Sequence, residues 1–301
     1  AHPPGYMGRN CNLKEVEHIK NFVDIPVVCA GNMDADVAAE SIKAGKIDGM
    51  GVARQFLVDP AWVTKLLNGQ EKEIKPCICC HNGCFNMCHY KGVGNDQDLS
   101  DTMHMARCAI NPETMQTKKY YIKKAKKIKN VAVIGGGIGG MESALVLAKR
   151  GHNVTIFEKT NELGGVFIAA AAPSFKEADR GLIEWYKREL PKYPNITVKL
   201  NTEIKCKNCL EKQGKFNDVI VATGSRAKNA LKCITGFNKS VDALDYLLGK
   251  VDVGNSPIVI GGGLSGCEIA YDLCLKGKKP SILEAKNANA IGCMFCVSDS
   301  F

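Results

Sequence analysis

Short apolar runs alternate with amphipathic stretches in the N-terminal part of the chain. The runs IPVVCAG (25–31) and IDGMGVA (47–53) each predict a buried parallel strand. The stretches MDADVAAESIKAG (33–45) and DPAWVTKLLNG (59–69) have the capping residues and the apolar spacing of helices. Strand, helix, strand and helix in this order predict a parallel sheet with helical crossovers.

A second pattern occurs twice further along the chain. The segments NVAVIGGGIGGMESALVLAKRGHNVTIFEK (130–159) and SPIVIGGGLSGCEIAYDLCLKGKKPSILEA (256–285) both predict a strand, a glycine turn, a helix and a strand. Gly261 lies 126 residues after Gly135, and this offset keeps the rest of the two segments in register. One supersecondary unit is therefore present in two copies.

Both copies carry a GxGxxG turn and an acidic residue at the end of the second strand. The first glycine permits a tight turn, the second lets a pyrophosphate approach the backbone, and the third lets the helix pack on the strand. The acidic side chain accepts hydrogen bonds from ribose hydroxyls. The residues concerned are Gly135, Gly137, Gly140 and Glu158 in the first copy, and Gly261, Gly263, Gly266 and Glu284 in the second. Complete units of this kind predict two dinucleotide sites.

Cysteine is concentrated between these regions, in CICCHNGCFNMCHY (77–90). The predicted metal ligands are Cys77, Cys80, Cys84 and Cys108. Three thiolates on one tight loop and a remote fourth are typical of a 4Fe-4S cluster. On spacing alone a zinc site that uses His81 or His89 stays open, and a disulfide knot is the least favoured reading.

The composition narrows the class of protein. A chain of 301 residues with 45% apolar residues can bury the cores of about two domains, which excludes disordered and fibrous proteins. No apolar run is long enough to predict a membrane span and no signal-peptide pattern is seen, so we expect a cytoplasmic protein without a membrane partner. Fifteen cysteines in such a chain indicate metal or redox chemistry in a reducing cell, such as that of an anaerobe.

The net charge of +9 depends partly on KKYYIKKAKKIKN (118–130), which holds seven lysines. We interpret this stretch as a solvated connector rather than a nucleic-acid surface, because a charge run needs a shaped surface to bind nucleic acid. No nucleic-acid partner is therefore expected.

The two glycine units resemble the two-dinucleotide-domain flavoproteins. In those proteins ELGG (162–165), with Gly164 and Gly165, lies next to FAD, and DVIVATG (218–224), with Gly224, closes the FAD domain. The second unit then corresponds to a nicotinamide domain. Glu284 favours NADH over NADPH, because a carboxylate repels the 2′-phosphate of NADPH. The nearby lysines keep NADPH open; they are Lys278, Lys279 and Lys286.

With the cysteine block included, the chain resembles the C-terminal half of the NADH:flavin oxidoreductases of the 2-enoate reductase, 2,4-dienoyl-CoA reductase and trimethylamine dehydrogenase group. The matching segments occur in the family's order: PVVCAGNM (26–33), DGMGVARQFLVDP (48–60), the cysteine motifs and the glycine units. The resemblance implies an α/β protein made of the C-terminal part of an FMN-binding β/α (TIM) barrel, a 4Fe-4S loop, a doubly wound Rossmann-like FAD domain and a partial NAD domain. Their expected bounds are 1–75, 76–129, 130–255 and 256–301.

Further residue roles follow from the same resemblance. Gly31 and Arg54 correspond to the contacts of the FMN phosphate, although Ala53 stands where the family usually has Gly. His2 corresponds to a histidine that helps to protonate the substrate, with an inert terminal histidine as the alternative. Cysteines outside the cluster motif are expected to be spare or surface thiols: Cys79, Cys88, Cys206 and Cys209.

The implied activity is the reduction of activated C=C bonds of an enoate or an enoyl thioester, with electrons passing from NADH to FAD, to the cluster and to FMN. The alternative is a stand-alone electron-carrier module that holds FAD and the cluster. We expect the chain to be a fragment truncated at both ends, because it holds two barrel strands and one nicotinamide unit, and its tail (287–301) differs from the family. The sequence leaves the oligomeric state open, a homo-oligomer included.

Overall fold

The computed structural model of the chain describes residues 3, 5–85, 106–226, 236 and 239–285. The chain divides into two compact units between Tyr121 and Ile122. This division falls inside the lysine-rich stretch 118–130 that was predicted to be a connector. Among the described residues, no helix is both long and apolar enough to cross a membrane.

The first unit contains a small parallel sheet flanked by short helices. Its elements are α1 (Leu13–Lys20), β1 (Val28–Ala30), α2 (Ala35–Lys43), β2 (Gly49–Gly51), α3 (Arg54–Val58), α4 (Trp62–Leu67), a 3-10 turn (Glu71–Glu73) and α5 (Thr117–Tyr120). Strand β1 pairs in parallel with β2, and Cys29 lies opposite Met50. Both strands lie inside the apolar runs that predicted them.

The core of this unit forms where α1 and α2 cover the two strands. Its buried members are Cys29, Met33, Ala38 and Ile47. Helix α2 begins after Asp34, as predicted, but the Asp34 side chain does not cap it. Its carboxylate instead accepts hydrogen bonds from Arg9 at 2.7 Å and from Asn10 at 3.0 Å.

The second unit contains a four-stranded parallel sheet in the order β5-β4-β3-β6. Its elements are β3 (Asn130–Ile134), α6 (Ile138–Lys149), β4 (Asn153–Phe157), α7 (Phe167–Ala170), α8 (Glu177–Glu189), a 3-10 turn (Leu190–Lys192), β5 (Ile196–Lys199), α9 (Lys207–Glu211) and β6 (Asp218–Val221). The central strand β3 has Val131, Ala132 and Val133 fully buried. Helix α6, which follows the first glycine turn, buries Met141 and Leu145.

The second copy of the repeat follows in the same unit. It is formed by β7 (Ile258–Ile260), α11 (Leu264–Leu275) and β8 (Ser281–Leu283), and a short helix, α10 (Ala243–Leu247), precedes it. Strands β7 and β8 pair in parallel, with Ile258 opposite Ser281. Parallel sheets in both units confirm the predicted α/β class.

Candidate nucleotide and cluster sites

The first glycine turn connects β3 to α6 and requires glycine at two of its positions. Gly135 has φ +110°, and a Cβ there would overlap the carbonyl oxygen of Ala222. A Cβ on Gly140 would overlap the carbonyl oxygen of Gly135. The turn is therefore closed by backbone contacts that exclude any side chain at these positions.

Gly137 differs from these two glycines. Its φ of −71° and ψ of −179° suit any residue, and a Cβ there would lie 3.9 Å from the nearest atom, the carbonyl oxygen of Gly164. Nothing in the described part of the protein explains why glycine is needed at this position. A ligand that approaches the backbone would need it, which is the role that the pattern assigns to the second glycine.

Glu158 is held against the first turn by three hydrogen bonds. Its Oε2 accepts from the N–H of Gly136 at 2.6 Å, and its Oε1 accepts from the N–H and the hydroxyl of Thr160, both at 2.8 Å. Burial opposes ionisation of this carboxyl, but the hydrogen bonds outweigh it and lower the pKa of Glu158. The side chain is therefore a buried carboxylate at the end of β4, next to the turn. Sequence reasoning missed Thr160, which an E-x-T pattern after the second strand could have indicated.

The ELGG segment meets the first turn directly. Gly137 and Gly164 form an isolated parallel bridge, and the N–H of Gly164 donates to the carbonyl of Gly136 at 2.9 Å. Gly164 and Gly165 have φ values of +128° and +58°, which favour glycine. The segment thus adds a second layer of backbone beside the predicted pyrophosphate site.

The ATG turn lies on the other side of the first turn. Strand β6 pairs with β3, and the N–H of Ala222 donates to the carbonyl of Ile134 at 2.8 Å. Gly224, with φ +73°, follows two residues later. Three segments that are distant in sequence therefore converge at the carboxyl edge of one parallel sheet, where α/β folds bind ligands.

The second glycine turn repeats this geometry. The N–H of Gly262 donates to Oε2 of Glu284 at 2.7 Å, the equivalent of the bond from Gly136 to Glu158. A Cβ on Gly266 would overlap the carbonyl oxygen of Gly261. Gly263 has φ −70° and ψ 177°, and among the described residues a Cβ there would meet no atom within 4 Å. The glycine at the pyrophosphate position is again not required by the protein itself.

The four predicted cluster cysteines line one small cavity in the first unit. The cysteines that face it are Cys77, Cys80, Cys84 and Cys108. The N–H of Arg107 donates to the carbonyl of Gly83 at 2.8 Å, and a Cβ on Gly83 would lie 2.7 Å from the carbonyl oxygen of Arg107. Gly83 therefore lets the segment with Cys108 pass close to the loop that holds the other three.

The loop around these cysteines is tight. Cys79 and His81 both have positive φ, at +52° and +53°. Cys79 does not line the cavity, because its thiol points to Oδ1 of Asn32 at 3.6 Å. Within the described ranges, no three His, Cys, Asp or Glu side chains form a group that could hold a single metal ion. The four predicted cluster cysteines line a common cavity.

Three of the four thiols that line this cavity have raised pKa values. Burial raises the pKa of Cys80 and of Cys108, and the charge of Cys84 raises both pKa values further. The hydrogen bond with Cys79 and burial raise the pKa of Cys77 well above its ordinary value. A positively charged group in the cavity would favour the thiolate forms of these residues, which are the forms that bind metal.

The predicted FMN-phosphate residues lie at the carboxyl ends of β1 and β2. Gly31 follows β1 with φ +140°, and a Cβ there would lie 2.6 Å from Nδ2 of Asn12. Arg54 begins α3, just after β2, and its Nη1 lies 2.6 Å from Nε2 of the buried His81. Arginine can only donate, so Nε2 of His81 accepts and the ring proton lies on Nδ1. His2, the predicted catalytic residue, lies outside the described residues.

Cys206 and Cys209 form a CxxC that was predicted to carry surface thiols, and the structure differs from this prediction. Cys206 is exposed, but it forms a disulfide with Cys209 and is not a free thiol. The Cα atoms of the two residues are 5.2 Å apart, because the start of α9 turns the chain between them. This separation is within the usual range for a disulfide.

A family model of pyridine nucleotide-disulphide oxidoreductases matches residues 105–208 and 129–290 of the chain. The two matched segments cover more than half of it, including both glycine turns. The chain belongs to the pyridine nucleotide-disulphide oxidoreductase family. This membership agrees with the two dinucleotide units predicted from the repeat.

Two individual relatives match more of the chain than the family model does. Cinnamate reductase of Clostridium sporogenes is 36% identical over 95% of this chain and 41% of its own length. NADH oxidase of Thermoanaerobacter brockii is 36% identical over 91% of this chain and 41% of its own length. The chain thus spans about two fifths of the length of these relatives.

Among solved structures, a 2-naphthoyl-CoA reductase in complex with 2-naphthoyl-CoA matches with a TM-score of 0.77 and 27% identity, over 93% of this chain and 41% of that one. The similarity therefore includes most of the first unit as well as the dinucleotide units. The predicted resemblance of this pyridine nucleotide-disulphide oxidoreductase to the NADH:flavin oxidoreductase and 2-enoate reductase group is confirmed.

Proposed function

We propose that this chain serves an NADH-dependent reduction of activated C=C bonds. Electrons would pass from NADH to FAD, to a 4Fe-4S cluster and to FMN, and the substrate would be an enoate or an enoyl thioester. The names of the relatives support this class, since one is a cinnamate reductase and another is a 2-naphthoyl-CoA reductase. The proposal rests mainly on one observation: Gly137 and Gly263 stand at the pyrophosphate positions of two dinucleotide units, where a Cβ would meet no described protein atom closer than 3.9 Å.

The first turn is the proposed FAD site. Glu158 would accept the ribose hydroxyls, and Gly137 and Gly165 leave backbone accessible where the pyrophosphate would lie. The buried Gly164 supports them by pairing with the turn. The backbone N–H of Gly136 and the groups of Thr160 keep the carboxylate of Glu158 ionised and in position. The protein thus supplies a preformed acceptor and an open glycine cradle, and FAD supplies the hydride chemistry.

The second turn is the proposed nicotinamide site. Glu284 lies in the position of the ribose acceptor and is held by Gly262 at 2.7 Å. Lys278, which could have favoured NADPH, donates to Asp252 at 2.8 Å. These contacts support NADH as the reductant, because the carboxylate is in place and one neighbouring cation is paired elsewhere.

The cavity lined by four cysteines is the proposed cluster site. Cys77, Cys80, Cys84 and Cys108 would each bind one iron of a 4Fe-4S cluster. Their arrangement around one cavity, with three cysteines on one tight loop and a remote fourth, supports a cluster over a single zinc ion. When bound, the cluster carries single electrons between the two flavins.

We infer that residues 1–75 belong to an FMN-binding barrel, with Gly31 and Arg54 at its phosphate site. Two adjacent parallel strands that end at these residues support this assignment. Residues 76–129 then hold the cluster, residues 130–255 the FAD domain and residues 256–301 part of the NAD domain. The role of His2 as the proton donor remains a prediction.

The proposal is tested with the native protein under anaerobic conditions. NADH consumption is measured with cinnamate, with an enoyl-CoA and without substrate, and the products are identified by mass spectrometry. One saturated product per NADH supports the proposal. NADH oxidation that reduces an external electron acceptor but no alkene would establish the electron-carrier alternative instead.

Two substitutions test the sites themselves. Gly137→Ala should reduce the FAD content at least tenfold while the circular dichroism spectrum is unchanged, because the new methyl group occupies ligand space only. Gly263→Ala should keep FAD and raise the Kd for NADH at least tenfold. If both variants bind both nucleotides normally, the ligand role of these glycines is wrong.

A further inference from the structure

Cys206 and Cys209 form a pair that the proposed reaction does not use. They are joined by a disulfide, with Cys206 exposed and Cys209 partly buried at the start of α9. The other cysteines that the structure describes carry free thiols. The pair is therefore a distinct redox group on the surface of the second unit.

The backbone on both sides of the pair is anchored in the core. Leu210, the residue after Cys209, packs in a buried cluster with Ala132 of β3 and Phe157 of β4. Ile204, two residues before Cys206, packs against the same cluster. Because both flanks stay fixed by apolar contacts, the disulfide can open without releasing the segment from the sheet.

A local hydrogen bond favours thiol–disulfide exchange at Cys206. The N–H of Cys209 donates to Sγ of Cys206 at 3.2 Å, a bond that stabilises the thiolate once the disulfide is open. The neighbouring lysines are paired with carboxylates, Lys205 with Glu203 at 3.0 Å and Lys207 with Glu211 at 3.7 Å. The backbone N–H is thus the main local stabilisation of a Cys206 thiolate.

We propose that Cys206 and Cys209 are a reversible dithiol–disulfide site that exchanges two electrons with dithiol reductants. A thiolate of the reductant attacks the exposed Sγ of Cys206, the bond between the two protein sulfurs breaks, and Cys209 leaves as a thiolate. The second thiol of the reductant then displaces Cys206 and forms the reductant's own disulfide. Two protons from the reductant end on the two cysteine thiolates, so atoms and electrons balance.

The test uses the full chain in anaerobic buffers with varied ratios of oxidised to reduced dithiothreitol. Thiols are trapped by alkylation at low pH, and peptide mass spectrometry measures each cysteine. Cys206 and Cys209 should change together, and a tenfold change in the buffer ratio should change their disulfide-to-dithiol ratio about tenfold. Cys274, which is exposed in α11, should be alkylated throughout.

Two results would overturn the proposal. One is full alkylation of Cys206 and Cys209 at every ratio, which would mean that they never pair. The other is a pair that resists alkylation even in fully reduced dithiothreitol, which would make it a structural disulfide. In Cys209→Ser, Cys206 should instead take up one glutathione from oxidised glutathione, and an unreactive Cys206 in this variant would also contradict the exchange mechanism.

Discussion

Arg54 donates a hydrogen bond of 2.6 Å to Nε2 of His81. The first residue begins α3 at the proposed FMN-phosphate site, and the second lies in the loop that holds the cluster cysteines. Arg54 also donates to the carbonyl of Pro3 at 3.1 Å. One arginine therefore connects the segment that follows β2 to the cysteine loop.

His81→Leu should destabilise the chain by about 1 to 3 kcal/mol, because a partly buried guanidinium loses its acceptor. His81→Gln is the matched variant, since its amide oxygen can still accept from Arg54. Urea unfolding monitored by circular dichroism measures both. Equal losses for Leu and Gln would show that packing of the imidazole, and not its hydrogen bond, matters at this position.

Two neighbouring glycines of α6 should respond in opposite ways to the same substitution. Gly140→Ala places a Cβ on the carbonyl oxygen of Gly135 and should prevent folding of the turn, with loss of FAD. Among the described residues a Cβ on Gly139 meets no atom within 4 Å, so Gly139→Ala should raise stability by up to about 1 kcal/mol through helix propensity. Thermal unfolding and flavin content measure the pair, and a stable, flavin-loaded Gly140→Ala would contradict the geometry.

The buried carboxylate of Glu158 should stabilise the protein in a pH-dependent way. Burial opposes and hydrogen bonds favour its ionisation, and the net result is a lowered pKa. Its stabilisation is therefore present above the unfolded pKa of about 4.5 and is lost as the pH falls through the folded pKa. Glu158→Gln should lower the melting temperature at pH 7, and the difference from the wild type should shrink towards pH 3. A constant difference across this range would exclude the charge as its cause.

Asp179 should have the opposite pH dependence. Burial raises its pKa to about 6, Lys176 at 3.9 Å opposes the rise, and Glu268 adds to it. A raised pKa means that its stabilising effect is complete below the unfolded pKa and is lost as the pH rises through about 6.

Asp179→Asn should therefore stabilise the chain at pH 8, by on the order of 1 to 2 kcal/mol, and give no gain at pH 4. Glu184→Gln, at an exposed position in the same helix, is the matched control and should change little at either pH. Urea unfolding at the two pH values measures both. Loss of stability in Asp179→Asn at pH 8 would show that the ion pair with Lys176 outweighs the burial of the charge.

Substitutions of the loop cysteines should affect the iron content differently, depending on whether the cysteine lines the cavity. Anaerobically purified protein should contain about four iron and four sulfide per chain. Cys84→Ala should lose most of this iron, because Cys84 lines the cavity, whereas Cys79→Ala should keep it, because its thiol points to Asn32. Iron and sulfide analysis with the visible absorption spectrum measures both, and tightly bound zinc without sulfide would exclude the cluster.

Much of the first dinucleotide unit could be predicted from local pattern alone. The strand, the turn and the helix follow from apolar periodicity and from glycines at fixed spacing, which are properties of neighbouring residues. Glu158 could be identified as the acidic residue at the end of the second strand for the same reason. Its second partner, Thr160, was missed, because the GxGxxG pattern does not state which donors reach the carboxylate after the chain has turned.

The cysteine loop shows the same limit. The spacing of Cys77, Cys80 and Cys84 predicted a shared site, but only the fold shows that Gly83 admits the Cys108 segment beside them. The pairing of Cys206 with Cys209 was missed, because a CxxC spacing permits a disulfide without requiring one.

By itself, the sequence determined the α/β class, the repeat at 126 residues and the residue types at both turns, because these depend on short-range periodicity and backbone geometry. Only the tertiary structure decided which glycines the protein needs for its own packing and which it leaves open for a ligand. Gly135 is fixed by the carbonyl of Ala222, whereas Gly137 meets no such neighbour. The physical reason is that a steric requirement depends on atoms that folding brings together from distant parts of the chain.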